Sequence, residues 1–444
     1  MTDPGMPTGP VPPTAATASV NCRRWVVVRV PVAARIRPLE PDRSTSTSPA
    51  TDAASEDTSL GTSTATPTGA RRMSSAYRLC RTVRHMSSGS PARTTALHAW
   101  HVAAGARMGD FAGWQMPLEY PAGTVTEHRA VRAGCGVFDV SHMGNLTIRA
   151  ADDEVNRLLT NDISGLAAGD VQYTMMCDAS GGVIDDMLVT RMTDGRLEIV
   201  PNAANTPAVR GALVAVAGDR VTDHTEDTAI IAVQGPAAPE ALAAVGLPAG
   251  HPYMTAVEAE RDGHPVVVSR TGYTGEHGYE LILPAAAAPA LWEDLVDVPQ
   301  VTPAGLGARD TLRTEMGYAL HGHEIGPDIS PVAAGLAWAV AWEKPDFIGR
   351  PALLAERGDS GGRRLRGLLL TDRGVPRPEM TVRMGEQTVG MTTSGTFSPS
   401  LKQGIALALL ARDVVPGDQV SIDVRGRSLA ATVVKPPFVD SSPR

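Results

Sequence analysis

Two adjacent carboxylates in an otherwise apolar run are the residues in this chain most suited to chemistry. Asp185 and Asp186 interrupt Val183-Ile-Asp-Asp-Met-Leu-Val189, and Val171 to Thr190 reads as a hairpin whose strands are joined by the polar, Gly-rich turn Asp178-Ala-Ser-Gly-Gly182. Side chains alternate along a strand, so the two carboxylates point to opposite faces that are otherwise Val, Ile, Met and Leu. A carboxylate drawn out of water has to be paired, hydrogen-bonded or used. The structural alternative is one Asp solvated at a strand end and the other held by backbone N–H groups. Glu280 repeats the theme inside Gly278-Tyr-Glu-Leu-Ile-Leu283. Arg309 and Arg313 fall at i, i+4 on a predicted helix, where two guanidinium groups could grip a carboxylate ligand, or else form a solvated face paired with nearby acids.

These residues need a scaffold of mixed type. A short helix is expected from Thr95, ended by Gly105, then an irregular packed loop through Met108 to Tyr120, then a helix between Gly123 and Gly134. Strands are expected at 137–140, 145–149 and 197–200, with helices at 152–159 and 204–217 and a strand over 230–234. The stretch Ser269 to Glu280 reads as strand, loop and returning strand, with Gly272, Gly275 and Gly278 at three-residue intervals. Glycines so spaced allow positive φ and close approach of backbone to a ligand, or serve a tight hairpin. Residues 349–362 read as a linker. Strands at 364–371, 387–393, 403–410, 419–424 and 428–434 then predict a small antiparallel barrel.

The first 93 residues differ from the rest. They are crowded with Pro, Ser, Thr and Ala, and carry 12 Arg against 6 acidic residues. They predict disorder, apart from a short strand at Trp25 to Val32, because such a composition buries too little apolar surface to offset its ordering entropy. A transit peptide is a poorer fit because Asp and Glu are frequent. The favoured expectation is a mis-assigned extension with Met73 or Met86 as the start, leaving residues 1–85 without function. The expected organisation is thus an extension at 1–93, a main region at 94–350 and a barrel domain at 363–439.

Whole-chain totals exclude several classes. The 444 residues are 43% hydrophobic and 20% charged, with net charge −8, which gives no electrostatic support for nucleic-acid binding. Lys occurs only at 344, 402 and 435. Cys22, Cys80, Cys135 and Cys177 show no metal-ligand spacing, and His321-Gly-His323 is read as structural; a reducing, cytoplasmic setting is expected, or a mitochondrial matrix if the extension is a transit peptide. No apolar run is long enough to span a bilayer, and neither a dinucleotide fingerprint nor a P-loop is present.

Taken together, Asp110-Phe-Ala-Gly-Trp-Gln-Met-Pro117, Phe138-Asp-Val-Ser-His-Met-Gly144, Gly181-Gly-Val-Ile-Asp-Asp186, Arg270-Thr-Gly-Tyr-Thr-Gly-Glu276, Gly307-Ala-Arg-Asp-Thr-Leu-Arg313, Phe347-Ile-Gly-Arg350 and Thr393-Ser-Gly-Thr-Phe-Ser-Pro399 strongly resemble the T protein of the glycine cleavage system, over about residues 94 to 439. The resemblance implies an α+β fold: a folate-binding region of two lobes around a central pocket, plus a C-terminal β-barrel. It implies an aminomethyltransferase that uses tetrahydrofolate as co-substrate and the lipoylated H protein as partner. By the same resemblance Asp186 is the catalytic aspartate, with Tyr173 and Asn202 beside it in the pocket. Met143 is a lining residue, Tyr273 and Glu280 recognise the pterin, and Arg309 lies near the glutamyl tail. Asp185 is expected to face away in a structural role. His321 stands where many members carry Tyr. Rival readings are a folate-dependent demethylase module of the dimethylglycine or sarcosine type, and a folate-binding iron-sulfur maintenance protein. The first lacks an accompanying flavin domain here, and the second relies on a cysteine later in the chain than Cys177.

Overall fold

The computed structural model describes residues 92–424 and 426–443. The strand expected at Trp25 to Val32, and the disorder expected of the extension up to residue 91, lie outside the described residues.

A small three-stranded sheet, two larger sheets and a barrel form the described molecule. A five-stranded antiparallel sheet runs in the order Val171–Cys177, Val183–Arg191, Leu197–Val200, Leu146–Ile148, Val221–Asp223. Its covered face packs Leu146, Ile148, Met187, Val189, Leu197 and Ile199 against Val209 and Leu213 of the helix Thr206–Ala217. That helix has Pro at its second position, where the missing N–H costs nothing. A six-stranded sheet runs Ala256–Arg261, His264–Ser269, Gly278–Pro284, Thr228–Gln234, Cys135–Asp139, Val301–Pro303; only the last pairing is parallel. One face packs on the helices Ala238–Ala244 and Ala288–Asp297 through Leu242, Leu291, Trp292 and Leu295. The other meets Val131 of the helix Thr124–Ala133 and Ala308 and Leu312 of the helix Leu306–Met316.

The barrel is closed by six antiparallel strands in the order Arg363–Leu370, Gln403–Ala411, Gln387–Ser398, Thr381–Met384, Gln419–Val424, Arg427–Val434. The α+β reading with a C-terminal barrel therefore holds. Closure leaves no exposed sheet edge and buries Leu368, Leu370, Ala406, Ala408, Leu410, Ile422, Ala431 and Val433. The barrel is pinned to the rest by buried acids. Glu315 accepts hydrogen bonds from Ser398 Oγ (2.5 Å), Ser400 Oγ (2.9 Å) and Arg132 Nη2 (2.8 Å), and faces His128 Nε2 at 3.3 Å. Burial pushes its carboxyl up, but His128 and these donors together bring it down to about 2.

Two local expectations are corrected. The stretch read as an irregular loop is a hairpin, Arg107–Phe111 with Trp114–Glu119. The stretch read as a linker contains the helix Arg350–Gly358, which enters from Gly349 in the left-handed region and has Pro351 in its first turn. The barrel also has a short strand, Thr381–Met384, beyond the five expected.

Candidate active site

Strand alternation divides Val183–Arg191 into two rows. Val183, Asp185, Met187 and Val189 are buried, whereas Ile184, Asp186 and Leu188 are half-buried on the opposite face. The turn before this strand is fixed by a close approach: a Cβ on Gly182 would stand 1.9 Å from the Pro327 carbonyl oxygen, so only glycine fits there. Asp186 and Leu188 line a cavity of about 590 Å³ between the two sheets, the helix Leu306–Met316 and barrel residues Arg377, Pro378, Ser394 and Gly395. Met143, Tyr173, Asn202, Tyr273, Glu280 and Arg309 line it too. The seven residues that the family resemblance assigns to the pocket are thus brought to one cavity of a size suited to a small organic molecule.

Neither aspartate is solvated at a strand end. Asp185 has no exposed surface and accepts hydrogen bonds from Asn202 N (3.0 Å), Asn202 Nδ2 (2.8 Å) and Asn205 Nδ2 (2.7 Å). Asp186 accepts from Tyr173 Oη at 2.9 Å and from Asn202 Nδ2 at 2.8 Å, and its backbone carbonyl accepts from the same amide at 3.0 Å. Asn202 lies two residues past the strand paired with Val183–Arg191, so the Leu188–Val200 register brings it beside Asp186. Burial, then the neighbouring charge of Asp186, pushes the Asp185 carboxyl up to about 7 despite its donors. Asp186 is also raised by burial, opposed by the Tyr173 hydroxyl, the Asn202 amide and His321. Burial and the Asp186 charge push Tyr173 well above its ordinary value, which keeps it a proton-bearing donor.

The six-stranded sheet and the helix supply the opposing groups. Glu280 accepts from Thr271 Oγ1 at 2.6 Å. The Arg309 guanidinium lies over the Tyr273 ring at 4.9 Å, and the Tyr273 hydroxyl donates to the Ala319 carbonyl. Arg309 Nη1 is buried without a hydrogen-bond partner, and desolvation makes its charge costlier while Glu280 and Tyr273 favour it. Arg313 belongs to the framework instead. It is 2% exposed and donates to Asp310 (2.8 Å), Glu324 (2.9 Å) and Ser394 (2.8 Å). The two arginines therefore share a helix but divide their work, and Arg313 is not on a solvated face.

The glycine-spaced loop packs around a side chain. Cβ atoms on Gly272 and Gly278 would fall 2.0 and 2.4 Å from the Gln234 amide, which donates to the Thr271 and Tyr279 carbonyls and accepts from Thr274 Oγ1. Only Gly275 of the three has positive φ, at 79°. Three lining residues lacked a signal specific enough to find them. His142 is 4% exposed, presents its ring edge-on to Phe111 at 5.2 Å, and is held down to about 4 chiefly by burial. His321 donates from Nε2 to the Val183 carbonyl at 3.1 Å. Thr271 holds Glu280. From the same motif as His142, Asp139 turns away from the cavity and accepts from Thr95 Oγ1 (2.6 Å) and His101 Nε2 (3.0 Å). Among the described residues no cluster of His, Cys, Asp and Glu could hold a metal ion, and no helix is long and apolar enough to cross a membrane.

Residues 97–344 match the family model of the GCVT N-terminal domain, and residues 363–440 match that of the glycine cleavage T-protein C-terminal barrel domain. The chain belongs to the glycine cleavage T-protein family. Among relatives in that family, an aminomethyltransferase of Parafrankia sp. is 52% identical over 363 residues, covering 79% of this chain and 99% of that protein. One from Mycobacterium tuberculosis is 51% identical over 348 residues, covering 76% and 95%. Among solved structures, the glycine cleavage system aminomethyltransferase T from Bartonella henselae aligns with a TM-score of 0.74 at 35% identity, covering 79% of this chain and 99% of that one. Membership in the glycine cleavage T-protein family is carried by both parts of the fold, the two-sheet region and the barrel.

Proposed function

We propose that this chain is the aminomethyltransferase of a glycine cleavage system. It takes the aminomethyl group carried as a thioether on the lipoyl arm of the H protein and passes its carbon to tetrahydrofolate. The carbon exchanges its bonds to sulfur and to the amino nitrogen for bonds to two folate nitrogens. Sulfur leaves as the thiol of dihydrolipoyl H protein, nitrogen leaves as ammonia, and 5,10-methylenetetrahydrofolate is formed.

The observation that carries this reading is a desolvated carboxylate, Asp186, gripped by Tyr173 and Asn202 in the wall of a cavity that holds Glu280 and Arg309. Breaking the carbon–sulfur bond while a nitrogen stays on the carbon develops iminium-like positive charge there. A preorganised carboxylate in a water-poor site stabilises such charge as it forms and orients the folate amine. Glu280 offers acceptors to the donor-rich pterin edge beside Tyr273. Arg309 has a free N–H group and suits the carboxylates of a glutamyl tail. Met143 completes the apolar lining.

Two measurements test the reading. Ammonia release is expected with tetrahydrofolate and aminomethylated H protein, and not with dimethylglycine; the opposite pattern favours a demethylase. Asp186→Asn is expected to retain tetrahydrofolate binding and to lose turnover by about 10²–10³-fold, the scale of removing one preorganised electrostatic group. Nearly unchanged turnover in that variant would sink the catalytic assignment.

A further inference from the structure

Two protons have to move during the transfer. Both folate nitrogens enter with an N–H and leave bonded to carbon instead, while sulfur ends as a thiol and the amino group as ammonia. A side chain that takes a proton at one point and gives it up at another serves that path. Imidazole is the side chain whose two states interconvert most readily near neutral pH.

Three histidines line the cavity, and their surroundings separate them. His142 is buried, and burial chiefly holds it down to about 4, so it stays neutral. His323 is tied through Nδ1 to the Thr393 carbonyl of the barrel at 2.9 Å. His321 is half-buried and faces the aspartate: the Asp186 carboxyl, raised by burial, is lowered by the Tyr173 hydroxyl, the Asn202 amide and then the charge of His321. The hydroxyls of Tyr173 and Tyr273 are raised chiefly by burial and keep their protons.

Geometry fixes the state of the His321 ring. Nε2 donates to the carbonyl of Val183, three residues before Asp186 on the same strand, at 3.1 Å. A neutral imidazole carries hydrogen on one nitrogen and a lone pair on the other, so Nδ1 is left as the acceptor. The two ring nitrogens diverge, and Nδ1 has no hydrogen-bond partner among the described residues. The backbone that carries the ring is held at three points. The Tyr273 hydroxyl donates to the Ala319 carbonyl, Leu320 N to Glu324 at 3.0 Å, and Gly322 N to the Ile325 carbonyl at 2.8 Å. Glu324 in turn accepts from Arg313 at 2.9 Å and from Thr393 Oγ1 at 2.5 Å. The ring is therefore in place before a ligand enters.

We propose that His321 is a second catalytic residue of the transfer and carries a proton from the folate to the departing amino group, an inference that rests on the aminomethyl-transfer reading. Carbon–sulfur cleavage sends the bonding pair to sulfur as thiolate and leaves a methylene iminium. One folate nitrogen bonds to that carbon, and its proton passes to His321 Nδ1. The imidazolium returns the proton to the amino nitrogen, which leaves as ammonia with the carbon–nitrogen pair. The second folate nitrogen then closes the ring, and its proton goes to the thiolate. Asp186 stays ionised and balances the positive charge.

His321→Gln in the full chain tests this, because the glutamine amide reaches the place of Nε2 and keeps the bond to Val183 while exchanging no proton. Turnover of aminomethylated H protein is expected to fall by about 10²-fold or more, the scale of general acid–base catalysis. The KM for tetrahydrofolate is expected to stay within about twofold of wild type. In His321→Ala, added imidazole is expected to restore turnover, and across substituted imidazoles the restored rate is expected to follow the proton affinity of the base. Should His321→Ala fail to fold, the split between kcat and KM in His321→Gln decides alone.

Turnover near wild type in His321→Gln overturns the proposal. A raised KM at unchanged kcat overturns it too, since the ring would then serve binding. So does rescue that ignores proton affinity, or no rescue in a folded His321→Ala that binds tetrahydrofolate; in each case the transfer reading stands. A wild-type chain that releases no ammonia from aminomethylated H protein removes the transfer reading itself, and the proposal with it.

Discussion

Asn202 is the residue on which both aspartates depend. Its single side-chain amide donates towards Asp185 Oδ1, Asp186 Oδ1 and the Asp186 carbonyl, so two N–H groups serve three acceptors. Removing them takes away a group that favours ionised Asp186. In Asn202→Ala the acid limb of the kcat profile is therefore expected to move to higher pH, and a pH–rate series in which the limb does not move would contradict this. Asp185 makes a separate statement about stability. Its folded value of about 7 lies above the ordinary aspartate value of 3.8, so its contribution is fully present below that lower value. The contribution is lost as pH rises towards 7 and through it. Asp185→Asn removes this titration, so relative to wild type it is expected to fare better in urea unfolding at about pH 8, above the folded value, than at about pH 5, below it. The aspartate pair and its division into one buried and one cavity-facing member could be read from strand alternation. Asn205 could not, because nothing local marks an Asn in a helix cap as the partner of a carboxylate 20 residues earlier.

At the scale of elements, the helix Leu306–Met316 does two things at once. It offers Arg309 to the cavity and locks itself to the barrel through Arg313, whose partner Glu324 has no exposed surface. Glu324→Ala leaves a buried guanidinium short of its main counter-charge, so a loss of about 3–5 kcal/mol is expected. It is read from the urea midpoint and accompanied by a higher KM for tetrahydrofolate as Arg309 loses its anchor. A midpoint within experimental scatter of wild type would show that Asp310 and Ser394 suffice. Elements with strong periodicity, among them the helices at 124–133 and 306–316 and most barrel strands, were legible in the sequence. The hairpin at 107–119 was obscured by Pro117, which ordinarily argues against a strand. There the strand pairs on one side only, with Arg93 and Thr94 reaching no further than Gln115, so a missing N–H is tolerated. The segment 349–362 reads as a linker in sequence, but Gly349 and Pro351 start a helix there. The glycines at 272 and 278 were legible as a close approach, but the approaching group is Gln234, which only the tertiary pairing of Thr228–Gln234 with Gly278–Pro284 supplies.

For the whole molecule, the family match begins at residue 97, and the cavity residues all lie between Arg107 and Gly395. A chain started at Met86 is therefore expected to keep the wild-type kcat and the KM for tetrahydrofolate, and a loss of turnover in that shorter chain would give the preceding segment a role. The cavity itself belongs to no single part. Tyr173 and Asp186 come from one sheet, Glu280 and Ile282 from the other, and Ser394 and Gly395 from the barrel. A molecule that binds there binds only when all three are folded, so its affinity is shared by all of them. At about 100 times its Kd it adds about 2.7 kcal/mol to the stability of the assembled state. The consequence reaches beyond catalysis: in a cell starved of folate the same chain would meet proteases more often in an open state, and nutrient supply would set the lifetime of the enzyme as well as its rate.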